Sequence, residues 1–257
     1  MINVIGLGYI GLPTALMMAS HGVKVIGTDY NKELVATLNA GHTTFKEDGL
    51  DELFTELGAS GLIAGGQTMN PSIETIAGAV EKVNARNVII LPNNSNIILA
   101  AQQAVELCEA KVSVIPTKTV PQGIAAAMAF NPLMDMKDNV SAMEESIGEV
   151  VSGSVTYAVR DSRMEGTQVK KGDIIGLMDN HMAVSEETVE KAALGLVRCM
   201  AGKKGYDDGT VTLIYGKDVA ENEAEALLSK LQEEYPKAEI MLQPGGQPLY
   251  YYFISLE

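Results

Sequence analysis

The 257-residue sequence has no tryptophan, four phenylalanines, three histidines and two cysteines. Cys108 and Cys199 lie far apart and form no C-x-x-C pair, and free thiols buried on helices are the expectation. His21, His42 and His181 are scattered without the spacing of a zinc site. No run approaches the ~20 apolar residues that a membrane span needs. The opening MINVIGLGYIGLP holds three glycines and no basic segment, so it does not read as a signal peptide. A cytoplasmic location is expected. Basic residues are also scarce: 19 Lys and Arg face 33 Asp and Glu, for a formal net charge of −14. A surface this negative repels phosphate backbones, so nucleic acid is not an expected partner. Any anionic ligand must be held by local backbone N–H groups and a few Lys or Arg.

What is present is an alternation of strand and helix patterns. Strands are expected over 2–6, 23–28, 62–64, 87–91 and 111–115. Helices are expected over 10–21, 31–40, 48–57, 72–83, 96–109, 121–129 and 137–148. Such alternation implies a mostly parallel, Rossmann-like sheet covered on both faces. Near residue 150 the pattern changes to short strands (153–160, 167–170, 173–177, 181–184), with hairpin signals at Glu165–Gly166 and Asp179–Asn180. A helix over 186–200, a strand over 210–215, a helix over 220–235 and strands over 239–242 and 249–255 follow. The fold class is α/β, with an α+β second half containing antiparallel strands. Three parts are expected: 1–46, 47–150 and 151–257.

Gly6, Gly8 and Gly11 form a G-x-G-x-x-G turn between a strand and a helix. Gly6 permits the tight turn, Gly8 lets a pyrophosphate approach the backbone, and Gly11 lets helix and strand pack closely. The helix N-terminus offers N–H groups to phosphates. Asp29, at the end of the second strand, stands where an acid bonds the ribose hydroxyls of NAD. The stretch INVIGLGYIGLPTALMMASHGVKVIGTDYNKELVATLNAG resembles the start of the UDP-sugar dehydrogenases, especially the UDP-N-acetylmannosamine type. That resemblance implies NAD contacts from Gly6, Gly8, Tyr9, Ile10, Gly11 and Asp29. The family's G-x-G-G-x-C nucleophile segment has no counterpart around Cys108 (VELCEAK) or Cys199 (LVRCMAG), so dehydrogenase activity is not expected.

Three loops follow expected parallel strands: GGQTMN after 62–64, PNNSN after 87–91 and PTKTVPQG after 111–115. Loops at the C-terminal ends of parallel strands gather along one edge, where such folds bind ligands. They bring together Gln67, Thr68, Asn70, Asn93, Asn94, Asn96, Thr117, Lys118, Thr119 and Gln122. That is a polar, neutral-to-cationic crevice suited to a phosphate, a carboxylate or a partner's backbone. The competing reading is that these residues are helix caps and turn formers, as Ser72 and Ser95 or Asn96 must be. Other features have structural explanations: Met134–Met143 as core or helix-face methionines, Arg160–Asp161 as an exposed ion pair. Tyr250, Tyr251 and Tyr252 should alternate across a strand.

Residues 47–257 resemble the C-terminal region of bacterial fatty acid kinase, a relative of dihydroxyacetone kinases. The shared stretches are GGQTMNPS (65–72), NVIILPNNSNIILAAQQA (87–104), VIPTKTVPQGIAA (114–126), VTYAVRDS (155–162), KKGDIIGL (170–177), VTLIYGKD (211–218) and GGQPLYYYFISLE (245–257). The resemblance implies docking of an acyl-carrier protein that presents a fatty acid to a kinase domain, which in the family lies upstream of this region; a kinase domain acting in trans is one partner it allows. No catalytic residue and no metal ligand is assigned. Three readings follow: a non-catalytic acyl-carrier-docking module fused to a truncated NAD-binding-type segment, an NAD-binding oxidoreductase fragment, and a recombined chimera without activity.

Overall fold

The computed structural model describes residues 2–5, 25–28, 50–63, 70–164, 167–204 and 209–257. The chain divides into two compact units, Met1–Glu47 and Asp48–Glu257. In the first, strands β1 (Ile2–Ile5) and β2 (Val25–Thr28) pair in parallel, Ile2 opposite Val25 and Ile5 opposite Thr28. Gly6, Gly8, Tyr9, Ile10, Gly11 and Asp29 lie outside the described residues, as do the helices expected over 10–21 and 31–40.

The second unit begins with α1 (Leu50–Glu56), α2 (Ile73–Val83), β3 (Asn87–Ile90), α3 (Ser95–Ala104), β4 (Lys111–Val114), α4 (Val120–Ala129) and α5 (Met136–Glu149). Each of α2 to α5 starts at a residue whose side chain accepts a backbone N–H: Ser72, Asn94, Thr119 and Asp135. These caps satisfy donors that a helix cannot pair internally. α3 is shorter than expected: a 3-10 turn over Val105–Leu107 ends it. β3 and β4 pair in parallel, Asn87 opposite Lys111 and Ile90 opposite Val114. Ile76, Ala101 and Ala104 pack beneath them, while Ile115, Ala126 and Met143 form a second small core.

The remainder is built on a sheet of six strands in the order β11-β10-β12-β5-β8-β9. These are β5 (Val151–Tyr157), β8 (Ile174–Met178), β9 (His181–Glu186), β10 (Thr210–Tyr215), β11 (Glu239–Pro244) and β12 (Tyr250–Leu256). A short antiparallel hairpin, β6 (Ser162–Met164) with β7 (Thr167–Val169), interrupts the order; its first strand was not expected. In the large sheet only β10 and β11 run parallel. They are joined through helix α7 (Glu221–Glu234), the kind of long connection that parallel neighbours need.

The sheet is therefore mainly antiparallel, as expected of the second half, and the Rossmann-like parallel sheet expected of the first half is seen only in part. Among the described residues it amounts to two separate two-stranded parallel pairs, β1–β2 and β3–β4. Leu62 and Ile63, expected to start a further parallel strand, are in irregular backbone with their side chains exposed. A strand buried on both faces would cover them; here Leu62 is 45% and Ile63 38% exposed.

Helices α6 (Val189–Lys204) and α7 supply the main core. Leu196 and Met200 of α6, Leu227 and Leu231 of α7, and Leu213, Ile254 and Leu256 of the sheet are fully buried. Burial of each such side chain contributes ~1.5–3 kcal/mol. Close approach of α6 depends on glycine: a Cβ at Gly153 would stand 2.7 Å from Met200 Sδ and 3.1 Å from Leu196 Cδ2.

The three tyrosines do not simply alternate, because the ladder to β5 shifts register between Tyr250 and Tyr252. Tyr252 is buried, Tyr250 lies against Phe253, and Tyr251 meets Tyr157 edge-on. Burial pushes the Tyr252 phenol up to about 12, with Glu223 and Glu190 adding to the shift. The folded state holds this proton more tightly than the unfolded chain. Its stabilising contribution is thus complete below pH ~10 and lost as pH rises towards ~12. Tyr252→Phe should flatten the fall of the thermal midpoint between those pH values, and Tyr235, also raised by burial, leaves a residual slope.

Candidate functional site

The PNN loop after β3 and the PTKT loop after β4 meet through one closed pair of hydrogen bonds. The Asn93 backbone N–H donates to Thr117 Oγ1, and the Thr117 hydroxyl donates to Asn93 Oδ1, both at 2.9 Å. Thr117 is completely buried. Asn93 adopts a left-handed backbone (φ 56), which Asn tolerates better than most residues. Its side chain fills the space where Gly123 of α4 lacks a Cβ; any larger residue there would collide with the Asn93 amide.

From this latch the chain runs into Lys118 and Thr119 at the start of α4. Gln122 folds back so that its Oε1 accepts the Lys118 N–H at 2.8 Å. Thr119 both caps α4 and meets Ser152 Oγ on β5 at 2.6 Å. Ser152 is buried, and its register partners carry a row of hydroxyls across the sheet: Ser255 opposite Ser152, and Thr212 opposite Ser255.

The β8–β9 turn closes the other side. Asp179 and Asn180 both have positive φ (49 and 68), the conformation of a tight two-residue hairpin. Asp179 Oδ1 accepts the Ser152 N–H at 3.1 Å, and its Oδ2 pairs with Lys203 Nζ at 2.6 Å. Asn180 Nδ2 donates to the Lys118 carbonyl at 3.4 Å.

Between these groups lies a cavity of about 600 Å³, within the size range of ligand sites. Lys118, Thr119 and Gln122 line one wall; Asp179, Asn180 and His181 line another, with Lys203 and the last turn of α5. α4 has no acid in its first turn and α5 no base in its last. The two helix ends therefore present opposite partial charges to the cavity. Two lysines are matched by Asp179 and Glu149, so the cationic side of the expectation is corrected: the lining is of mixed charge.

The structure sorts the expected residues into groups. Asn93, Thr117, Lys118, Thr119 and Gln122 form one connected edge. Asn94, and not Ser95 or Asn96 as expected, is the cap of α3: its Oδ1 accepts the Asn96 N–H at 2.9 Å, so a capping role accounts for the placement of Asn94. Asn70 is exposed in irregular backbone, and Gln67 and Thr68 lie outside the described residues. Asp179, Asn180, His181 and Lys203 were not expected at the site. Asp-Asn read as a hairpin turn, but no sequence signal places that turn beside Lys118.

The remaining expectations also shift. Cys108 and Cys199 are free and half-buried, and burial pushes the Cys108 thiol up. Asp161 accepts the Lys171 N–H at 2.7 Å. Among the described residues no group of three or more His, Cys, Asp or Glu side chains is arranged to hold a metal, and no helix is long and apolar enough to cross a membrane.

The fold is the mixed α/β fold of the DegV proteins. A DegV lipid-binding protein of Thermotoga maritima matches over 99% of this chain and 96% of its own, with a TM-score of 0.54 at 11% identity. A Streptococcus pneumoniae fatty acid kinase B3 protein loaded with linoleic acid matches over 73% of this chain and 76% of its own, with a TM-score of 0.51 at 14% identity. Residues 40–257 match the FakA-like C-terminal family of fatty acid kinase proteins, and the chain belongs to that family.

Protein YloV of Bacillus subtilis is 46% identical over 210 residues, 82% of this chain and 37% of that protein. An uncharacterized protein of Staphylococcus haemolyticus is 40% identical over 210 residues, again 82% of this chain, and 38% of its own length. The chain thus spans less than two fifths of these relatives. None of these matches supports a UDP-sugar dehydrogenase origin for residues 1–45 or a recombined chain.

Proposed function

We propose that residues 48–257 form a non-catalytic recognition module of the fatty acid kinase type, docking an acyl-carrying protein so that a kinase domain can act on the acyl group. Family membership over 40–257 supports the class. The likeness in fold to a fatty acid kinase B3 protein loaded with linoleic acid supports an acyl-related ligand system. The observation that carries the reading is the linked edge Asn93–Thr117–Lys118–Gln122 opening on the mixed-charge cavity. Such walls suit the polar backbone or carboxylate of a partner and disfavour an acyl tail, which gains nothing from charged neighbours.

The test is calorimetric titration with the acyl-loaded carrier protein of a fatty acid kinase system. Lys118→Ala, at an exposed position, should weaken binding by about tenfold, the loss of one charge-assisted contact, without moving the thermal midpoint. Equal affinity of wild type and variant would remove Lys118 from the site.

A second reading concerns the first unit. The G-x-G-x-x-G sequence and the parallel pairing of β1 with β2 support an NAD site at Gly6, Gly8, Tyr9, Ile10, Gly11 and Asp29. Titration with NADH tests it: no heat at millimolar ligand removes that reading and leaves the first untouched.

A further inference from the structure

The segment MAFNPLMD (128–135), leading from α4 into α5, displays apolar side chains to solvent. Leu133 is 94% exposed and Met128 65%, with Phe130 and Met134 also exposed. This corrects the expectation of a core or helix-face role for Met134, which precedes α5. Single exposed leucines are ordinary on protein surfaces. Here, however, the backbone beneath them is fixed by an interior side chain.

Asn139, on α5 and only 2% exposed, accepts the Asn131 N–H at 2.7 Å. Its Nδ2 shares its protons among the carbonyls of Asn131 (2.9 Å), Met134 (3.1 Å) and Asp135 (3.0 Å). Asn131 Oδ1 accepts the Leu133 N–H at 2.9 Å, and Asp135 caps α5 through the Asp138 N–H at 2.8 Å. A buried asparagine with satisfied hydrogen bonds thus holds an apolar tip outward. A fixed apolar anchor docks with less loss of conformational freedom than a mobile one, and contact energy concentrates in such anchors.

Charge narrows the occupant. Asp135 and Asp138 flank the tip with Lys137, α5 continues with exposed Glu144 and Glu145, and the chain carries −14 overall. That setting opposes an anionic membrane and complements a protein pocket rimmed by Lys or Arg. We infer that the 128–134 tip is a docking edge for the acyl-carrying partner, with Leu133 entering an apolar pocket rimmed by basic groups on that protein. This inference rests on the acyl-carrier reading above.

The experiment titrates the acyl-loaded carrier protein into the full chain and into Leu133→Asp, Asn139→Ala and Leu107→Asp, the last an exposed leucine on the 3-10 turn. Leu133→Asp should raise Kd by about tenfold or more with an unchanged thermal midpoint, as removal of an interface anchor does. Asn139→Ala should weaken binding through loss of loop order, and Leu107→Asp should bind as wild type does.

Wild-type binding with an unaffected Leu133→Asp variant overturns the inference and leaves the acyl-carrier reading standing. Absence of binding by the wild type overturns both. Sedimentation of the wild type, but not Leu133→Asp, with phosphatidylcholine vesicles would assign the tip to a lipid surface instead. Self-association abolished by Leu133→Asp would assign it to a second copy. Either result overturns the inference.

Discussion

Leu196→Ala is expected to lower the stability of the second unit by about 3 kcal/mol, within the range for truncating a fully buried leucine. Leu196 lies at the centre of the contact between α6 and the sheet, against Gly153 on β5 and Gly176 on β8. Those glycines already let the helix lie as near the strands as their backbones permit, so neighbouring elements have little freedom to collapse into the void. Most of the cavity should persist. In a unit of this size the midpoint should fall by about 6–12 °C. The effect should also reach the site, because Lys203 at the end of α6 pairs with Asp179 in the turn that bounds the cavity. Thermal unfolding of the two proteins, followed by circular dichroism, measures it; a change below about 1 kcal/mol would mean that α6 repacks freely.

Thr117→Val is expected to cost about 2–3 kcal/mol and to disable recognition together. Valine keeps the shape of threonine but removes the hydroxyl that accepts the Asn93 N–H and donates to Asn93 Oδ1. The Asn93 N–H and side-chain carbonyl are then left without these partners at a part-buried site, and each unmade bond of this kind costs ~1–3 kcal/mol. The left-handed backbone of Asn93 loses its tether, and the loop that carries Lys118 loses its reference point. Thr117→Ser retains the hydroxyl and should recover most of the loss. Unfolding in urea gives the stability change, and titration of the acyl-loaded carrier gives the binding change. Equal values for the Val and Ser variants would show that the latch carries no energy.

Local signals reported the elements of the second unit well. Ser72 caps its helix as expected, whereas the cap of α3 is Asn94 and not Ser95 or Asn96, because a polar run such as NNSN offers several residues able to accept the first free N–H. The Asp179–Asn180 turn was equally legible, since few residue pairs accept two positive φ values. The order of strands was not. Apolar runs such as VTYAV and DIIGL specify strands without stating their partners, so the antiparallel placement of β12 between β10 and β5 had no local signature.

The site divides along the same line. Lys118 and Gln122 lie four residues apart, and their loop was identified from sequence. Asp179, Asn180 and Lys203 reach that loop only through the tertiary fold. Asn139 left a faint trace: a weak helix former inside an otherwise regular helix pattern, explained once its bonds to the preceding loop are seen.

The most direct test of the whole account is titration of the intact chain with the acyl-loaded carrier protein in the absence of ATP. A one-to-one complex with Kd of about micromolar or tighter, weakened by Lys118→Ala, is the expected result for a specific interface of ordinary size. No heat at carrier concentrations approaching millimolar, with both proteins folded, would contradict a recognition role for residues 48–257.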